Sequence, residues 1–382
     1  MTARQTYSIG QIKDMLHDRM DQVARQYAPP ASGSYTDRHL YFTLNPGRAD
    51  RSVGSFCIHV SGPKVGRWTD FATGEHGDVL DLIRMSLHLG SATEAIKEAR
   101  AWLGLEIDTP ELRVARAAAA KRAKEQREAA EAEARAAAAR KAKQAEGLYL
   151  SAQADIEGTP VDYYLRRRGI DLRALHRMPG AIRYHATVGY HHEVTDPETG
   201  EVTTVRQKLP AMIAAIVNGR GNIISCHRTY LAWGPDGRVD KADLPRAKKV
   251  WGEYRGGAIR LSSGIGARGG KAVPLAQCPP GSRVVIGEGI ETCLTAMLTW
   301  PAERVLAAVS LSNMGAVALP ANVAEVVLLS DGDTHPQAIA AFDAAVQAHA
   351  TAGRTVRVWQ SPVPGEDLND ALLREMGERG AA

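Results

Sequence analysis

The chain has 382 residues, 44% of them hydrophobic, with 47 Lys and Arg against 43 Asp and Glu for a net charge of +4. That length allows two or three domains, the apolar content excludes wholesale disorder, and the slight basic excess permits a polyanionic partner without requiring one. Four scattered cysteines (Cys57, Cys226, Cys278, Cys293) with no Cys-x-x-Cys exclude a disulfide framework and a thiolate zinc site; with no apolar signal region or bilayer-length stretch, a cytoplasmic protein without membrane contact is expected.

Residues 1–108 read as a small α+β module. Phe56-Cys57-Ile58-His59-Val60 has strand character, Ser61-Gly62-Pro63-Lys64 is a turn signal, and Arg67-Trp68-Thr69-Asp70-Phe71 reads as the returning strand. Gly77-Asp78-Val79-Leu80-Asp81-Leu82-Ile83 opens one helix. Ser91-Ala92-Thr93-Glu94 is a capping box for a second, which stops at Gly104. Residues 109–148 read as a linker. Between 111 and 146, sixteen positions are Ala, ten are Lys or Arg and six are Glu. These are strong helix formers without an apolar stripe, so a solvated helix is expected, about 50 Å long at 1.5 Å per residue.

Residues 149–278 mix short strands with basic turns. Pro210–Val217 and Gly221–Arg228 look like neighbouring strands joined at Asn218-Gly219. Basic residues cluster here (Arg166, Arg167, Arg168, Arg206, Lys208, Arg228, Arg246, Lys248, Lys249), interleaved with Tyr163, Tyr164, Tyr230, Trp233, Trp251 and Tyr254. That mixture suits a single nucleic-acid strand, whose phosphates pair with the cations while its bases stack. A solvated basic face is the plainer alternative. Gly264–Ala272 resembles a phosphate-binding loop, but Ile265 stands where a Gly is needed and Ala272 replaces the hydroxyl residue, so we read it as a Gly-rich loop.

Residues 279–382 alternate strand and helix patterns, the signature of a parallel sheet. Val284-Val285-Ile286-Gly287 and Val326-Val327-Leu328-Leu329 are continuous apolar runs, as expected of strands buried on both faces. The first ends in Glu288 and the second in Ser330-Asp331-Gly332-Asp333; a third acidic group, Gly365-Glu366-Asp367-Leu368-Asn369-Asp370, follows the strand Val356–Trp359. One such acid is commonly a helix cap. Two strands of one sheet ending this way point to a ligand site at the carboxyl edge. Several carboxylates converging there require a cation. Oxygen ligands without His or Cys suit Mg²⁺ or Mn²⁺.

Glu288-Gly289-Ile290-Glu291-Thr292, Asp331-Gly332-Asp333 and the Gly365–Asp370 group together resemble a Toprim domain, the metal-binding fold of bacterial-type primases, topoisomerases and certain nucleases. The ending is similar to that of primases encoded by phages and mobile elements. The resemblance implies a metal-binding, catalytic role for Glu288, Asp331 and Asp333, with Asp367 and Asp370 as outer ligands. Primases often carry Asp where Thr292 stands, and Glu291 is the neighbouring acid that would compensate. Gly66–Phe71 followed by Gly77–Ile83 resembles the zinc-ribbon module of bacterial primases, but Asp70–Glu75 occupies the place of its Cys-x-x-Cys hairpin, so no zinc is expected. The middle region resembles the basic half of a primase core, which implies phosphate contacts for Arg228 and Lys249, and a nucleic-acid or nucleotide role for Lys248, Arg166, Arg167, Arg206 and Lys208.

The expected fold is therefore an α/β multidomain chain. A Toprim-type parallel sheet flanked by helices follows a mixed α+β basic domain, and a ribbon-like module stands before the helical linker. The expected function is a Mg²⁺- or Mn²⁺-dependent primase-like nucleotidyltransferase of a phage or mobile element. Its partners would be single-stranded DNA, nucleoside triphosphates and a separate replicative helicase. A Toprim nuclease and a non-catalytic single-stranded-DNA-binding replication accessory are the alternatives. A topoisomerase is disfavoured because no separate domain offers a nucleophilic Tyr.

Overall fold

The computed structural model describes residues 7–380 apart from 49, 51, 106–109, 176, 196–201, 267–271 and 364. The chain divides into two compact units, Met1–Ala137 and Ala138–Ala382.

In the first unit, helices α1 (Ile9–His17) and α2 (Met20–Tyr27) precede an antiparallel sheet. Its strands β1 (Tyr35–Asp37), β2 (Leu40–Thr43), β3 (Phe56–His59), β4 (Trp68–Asp70) and β5 (His76–Gly77) lie in chain order. Helices α3 (Val79–Leu87) and α4 (Ala92–Trp102) follow. Both open on reciprocal capping boxes, Asp78 with Asp81 and Ser91 with Glu94. Past α4, Gly104 takes a φ of +74°, a conformation that glycine adopts without steric cost. Ile12, Leu16, Tyr27, Phe56, Ile58, Leu82 and Ile83 form the core, each contributing about 1.5–3 kcal/mol by burial. The hairpin after β4 closes on Asp70, whose buried carboxylate accepts from Asn45 Nδ2 (2.7 Å), Arg48 Nε (2.9 Å) and the Ala72 amide (2.9 Å).

Helix α5 (Pro110–Ser151) gives its early turns to the first unit, where Arg116 Nε lies 2.6 Å from the buried carboxylate of Glu98. Its last turns belong to the second unit, where Ala145 and Tyr149 enter a core with Ile213, Cys226 and Tyr230. An Ala-rich helix thus buries its ends through isolated small or aromatic residues rather than through a continuous stripe.

Next come α6 (Pro160–Arg167) and an antiparallel sheet of β6 (Ile182–Thr195), β7 (Val202–Val217), β8 (Ile223–Trp233), β9 (Val239–Lys241) and β10 (Lys248–Trp251). Its order is β10-β8-β7-β6, with β9 also on β8. The turn between β7 and β8 is built on Asn218, whose side-chain oxygen accepts from the amides of Arg220 and Asn222. Lys249 stands opposite Arg228, and Lys248 opposite Thr229. Since side chains alternate along a strand, Arg228 and Lys249 share one face and Lys248 lies on the other.

The last part comprises β11 (Ile259–Ser263), β12 (Ser282–Gly287), α7 (Ile290–Thr299), β13 (Arg304–Ala307), α8 (Leu311–Met314), β14 (Val323–Leu329), α9 (Pro336–Thr351), β15 (Thr355–Trp359) and α10 (Leu368–Gly380). The sheet order is β11-β13-β12-β14-β15, parallel throughout except for β11 at the edge. Val285 packs with Leu294 of α7 on one side, while Val284 and Ile286 pack with Met314 and Ala345 on the other. Burial on both faces explains why these strands show no polar alternation. The mixed α/β architecture is the one expected from the sequence. No helix among the described residues is long and apolar enough to cross a membrane.

Candidate active site

The neighbouring strands β12, β14 and β15 all end on the same edge of the sheet. Glu288 follows β12, Asp331 and Asp333 follow β14, and the Gly365–Asp370 group follows β15. Gly332 makes the Asp-Gly-Asp turn possible: its φ is +69°, and a Cβ there would lie 2.9 Å from the Glu366 carbonyl oxygen. Beside Glu288, Val309 holds a φ of +75°, a strained conformation for a β-branched residue, and its amide donates to the Glu288 carbonyl at 3.0 Å. Glu288, Asp331 and Asp333 line a cavity of 430 Å³ whose other wall is Leu311, Phe342 and Val346.

The acids repel one another. Burial, then the charges of Glu288, Asp367 and Asp333, push the Asp331 carboxyl up to about 7. Burial raises Glu288 as well, with Asp333 adding to the effect and the Leu311 amide opposing it. Asp331 Oδ1 is buried without a hydrogen-bond partner. A buried carboxylate oxygen left unpaired among like charges is the environment in which a cation would be favourable. The donor set is all carboxylate, which fits Mg²⁺ or Mn²⁺. Among the described residues no group of three or more His, Cys, Asp or Glu is already gathered as a metal cage. Mutual repulsion accounts for acids that face one cavity without closing on a point.

The Gly365–Asp370 group divides its labour. Asp367 accepts from the Thr292 hydroxyl at 3.3 Å and from the Asp370 amide at 2.8 Å. The Asp370 side chain accepts in return from the Asp367 amide at 3.4 Å, so the two form a reciprocal capping box in which Asp367 is the N-cap of α10 and Asp370 its third residue. Asn369 is buried and donates to the Arg168 carbonyl (2.9 Å) and Thr295 Oγ1 (3.1 Å), tying α10 to the end of α6 and to α7. Thr292 therefore orients Asp367. Glu291 does not compensate for a missing acid: it is buried away from the cluster, accepting from Tyr164 Oη (2.6 Å) and Lys248 Nζ (3.0 Å).

The basic residues separate into several environments. Lys248 pairs with Glu291 at 3.0 Å, and its charge lowers both Glu288 and Asp331. On the opposite face Arg228 is buried, donates to Tyr230 Oη at 3.0 Å and lies 5.0 Å from the Trp251 ring centroid. Its Nε has no partner. Lys249 Nζ lies 4.1 Å from the Tyr190 centroid, and burial followed by Arg228 and Arg246 lowers its pKa. Arg206 and Lys208 are exposed on β7 and, with Tyr190 and His191, line a 710 Å³ cavity. Arg166 and Arg167 pair with Asp162 (2.9 Å) and Asp240 (3.1 Å). Residues 267–271 of the Gly-rich loop lie outside the described residues. Sequence reasoning missed Lys241, whose Nζ lies 3.9 Å from Glu291; nothing local in Asp240-Lys241-Ala242 signals a buried acid 50 positions onward.

Two families match the chain: residues 139–261 match a domain of unknown function (DUF7146), and residues 283–378 match the Toprim domain. No curated protein matches it. Among solved structures, the chain is similar to the zinc-binding and RNA polymerase domains of the Aquifex aeolicus primase at 15% identity, over 99% of this chain and 84% of that one, with a TM-score of 0.37. A DnaG primase catalytic domain bound to single-stranded DNA is similar at 18% identity over 64% and 78% of the two chains, with a TM-score of 0.41. The E. coli primase catalytic core is similar at 17% identity over 60% and 74%, with a TM-score of 0.37. The acidic strand ends from Glu288 to Asp370 thus lie within residues 283–378, the part of the chain that matches the Toprim domain.

Proposed function

We propose that the protein is a primase-like nucleotidyltransferase that builds primers on single-stranded DNA, using a divalent cation held by Glu288, Asp331 and Asp333. The observation that carries this reading is the Asp331 carboxylate: buried, lacking a partner for Oδ1, and facing other acids at the carboxyl edge of a Toprim sheet. Mg²⁺ or Mn²⁺ there would supply charge neutralisation for a 3′-hydroxyl and a departing pyrophosphate. Asp367, fixed by Thr292, is the outer ligand, and Asp370 acts through its hydrogen bonds with Asp367.

The remaining contributions come from the middle domain. Arg228 and Lys249, surrounded by Tyr190, Tyr230 and Trp251, supply cations beside aromatic rings, a combination suited to a single strand. Arg206 and Lys208 stand further along β7 on the other face of the strand, and Arg166 and Arg167 contribute more weakly because each already has an acidic partner. We assign residues 1–108 to a metal-free template-touching module, 109–148 to a linker, 149–278 to the basic half of the core and 279–382 to the metal-binding domain. A phage or mobile-element origin, a cytoplasmic setting and a separate helicase partner belong to the same reading.

The test is primer synthesis on single-stranded DNA with labelled nucleoside triphosphates and Mg²⁺ or Mn²⁺. Product is expected from the native protein, and Asp331→Asn should reduce it by at least about a hundredfold. Cleavage of DNA without triphosphates would establish the nuclease instead. DNA binding with neither activity would establish the accessory protein.

A further inference from the structure

Glu291 opens α7 three residues after Glu288, yet it stands outside the acidic cluster. Its carboxylate is buried and both oxygens are engaged by the middle domain: Oε1 by Tyr164 Oη at 2.6 Å and Lys241 Nζ at 3.9 Å, Oε2 by Lys248 Nζ at 3.0 Å. Burial raises such a carboxyl, but Lys248, Tyr164 and Lys241 outweigh it and hold Glu291 ionised. Burying a charge is costly unless it is paired, so this residue constrains where its partners stand. Lys241 and Tyr164 are held on the middle domain, the latter fully buried. Lys248 retains 40% side-chain exposure, and its charge reaches Glu288 and Asp331. The alternation of β10 sends its neighbour Lys249 to the other face. Lys248 thus pairs with Glu291, the chain neighbour of the Thr292 that contacts Asp367, whereas Lys249 donates to the His191 carbonyl on the other face.

We propose that Glu291 is a positioning residue: it anchors the Lys248 ammonium next to the acidic cluster, where Lys248 contacts the triphosphate of an incoming nucleotide. This rests on the nucleotidyltransferase reading above. A polyphosphate complexed with a divalent cation presents negative oxygens that the carboxylates cannot approach, and an ammonium on the adjoining wall complements them. Lys248 lacks the reach of a free surface lysine, because one of its hydrogen bonds is committed to a buried acid. A plain clamp between α7 and the sheet would use the same ion pair, and the two roles differ in what they do to nucleotide affinity.

The experiment measures ATP binding in the presence of Mn²⁺, by calorimetry on the full chain, for native protein, Glu291→Gln, Glu291→Asp, Lys248→Met and the Glu291→Gln/Lys248→Met double variant. Thermal melting and the kcat and KM of primer synthesis are recorded alongside. Each of Glu291→Gln and Lys248→Met should weaken ATP binding by about tenfold and appear mainly in KM. The double variant should bind no worse than Lys248→Met alone, because removing the anchor matters only while Lys248 is present. Glu291→Asp, which keeps the charge, should retain more affinity than Glu291→Gln and carries the comparison if the latter fails to fold. A lowered melting temperature with native ATP affinity, additive losses in the double variant, or no ATP binding by the native protein would each overturn the proposal. Native ATP binding with these non-additive losses but no primer product would overturn the synthetic reading and leave Glu291 as the anchor of Lys248.

Discussion

Two aspartates with a buried carboxylate oxygen, one in each unit, receive opposite treatment. Asp70 closes the hairpin of the first unit; burial would raise its carboxyl, but hydrogen bonds from Arg48, Asn45 and the Ala72 amide bring it down to about 2. Asp331 ends β14 in the second unit, where burial and the charges of Glu288, Asp367 and Asp333 act together and push it up to about 7. Asp70 has a partner for each oxygen, whereas Asp331 Oδ1 has none. Burial alone therefore does not mark a functional acid. A satisfied buried carboxylate holds the fold together, and an unsatisfied one among like charges is what the proposed cation site rests on.

The contrast can be broken first at Asp70. Asp70→Ala leaves the buried Asn45 amide without its acceptor and the Arg48 guanidinium with Asp50 as its remaining acid, and should cost about 2–3 kcal/mol in urea unfolding followed by a probe in the first unit, such as Trp68 fluorescence. A loss below about 1 kcal/mol would mean that the network is incidental. The pH dependence sharpens the same point. Because the folded-state pKa of Asp70 is depressed from 3.8 to about 2, its contribution is complete above pH 4 and is lost as pH falls toward 2, an effect of about 2 kcal/mol. Asp331 predicts the reverse sign on substitution. Neutralising it removes a repulsion, so in chelator Asp331→Asn should unfold no more easily than native protein and gain about 1 kcal/mol. The same substitution at Asp70 should destabilise.

Local features of the fold were legible because their causes are local. The capping boxes at Asp78 and Ser91, the turn on Asn218 and the apolar runs of β12 and β14 each rest on a few consecutive residues. The convergence of Glu288, Asp331 and Asp333 on one edge followed from parallel strands ending in acids. What stayed hidden depends on partners distant in the chain. Tyr164 and Lys248 meet Glu291 across 127 and 43 positions. Lys248 and Lys249 read as one basic pair until the register of β10 against β8 sends them to opposite faces. Asp367 and Asp370 read as acids of one group in sequence, and their reciprocal hydrogen bonds as a capping box at the start of α10 show only in the structure. The Asp70 network, likewise, needs Asn45 and Arg48 from the loop after β2.

The most direct measurement is Mn²⁺ binding to the full chain, followed by electron paramagnetic resonance and checked by thermal melting, for native protein and for Asp331→Asn. Native protein should bind Mn²⁺ and melt at a higher temperature as the ion is added, because binding to the folded state stabilises it by mass action. Asp331→Asn should lose that binding and melt at the same temperature with or without Mn²⁺. Equal Mn²⁺ affinity in the two proteins, or no shift in the native melting temperature, would contradict the assignment of the β12 and β14 strand ends as a cation site.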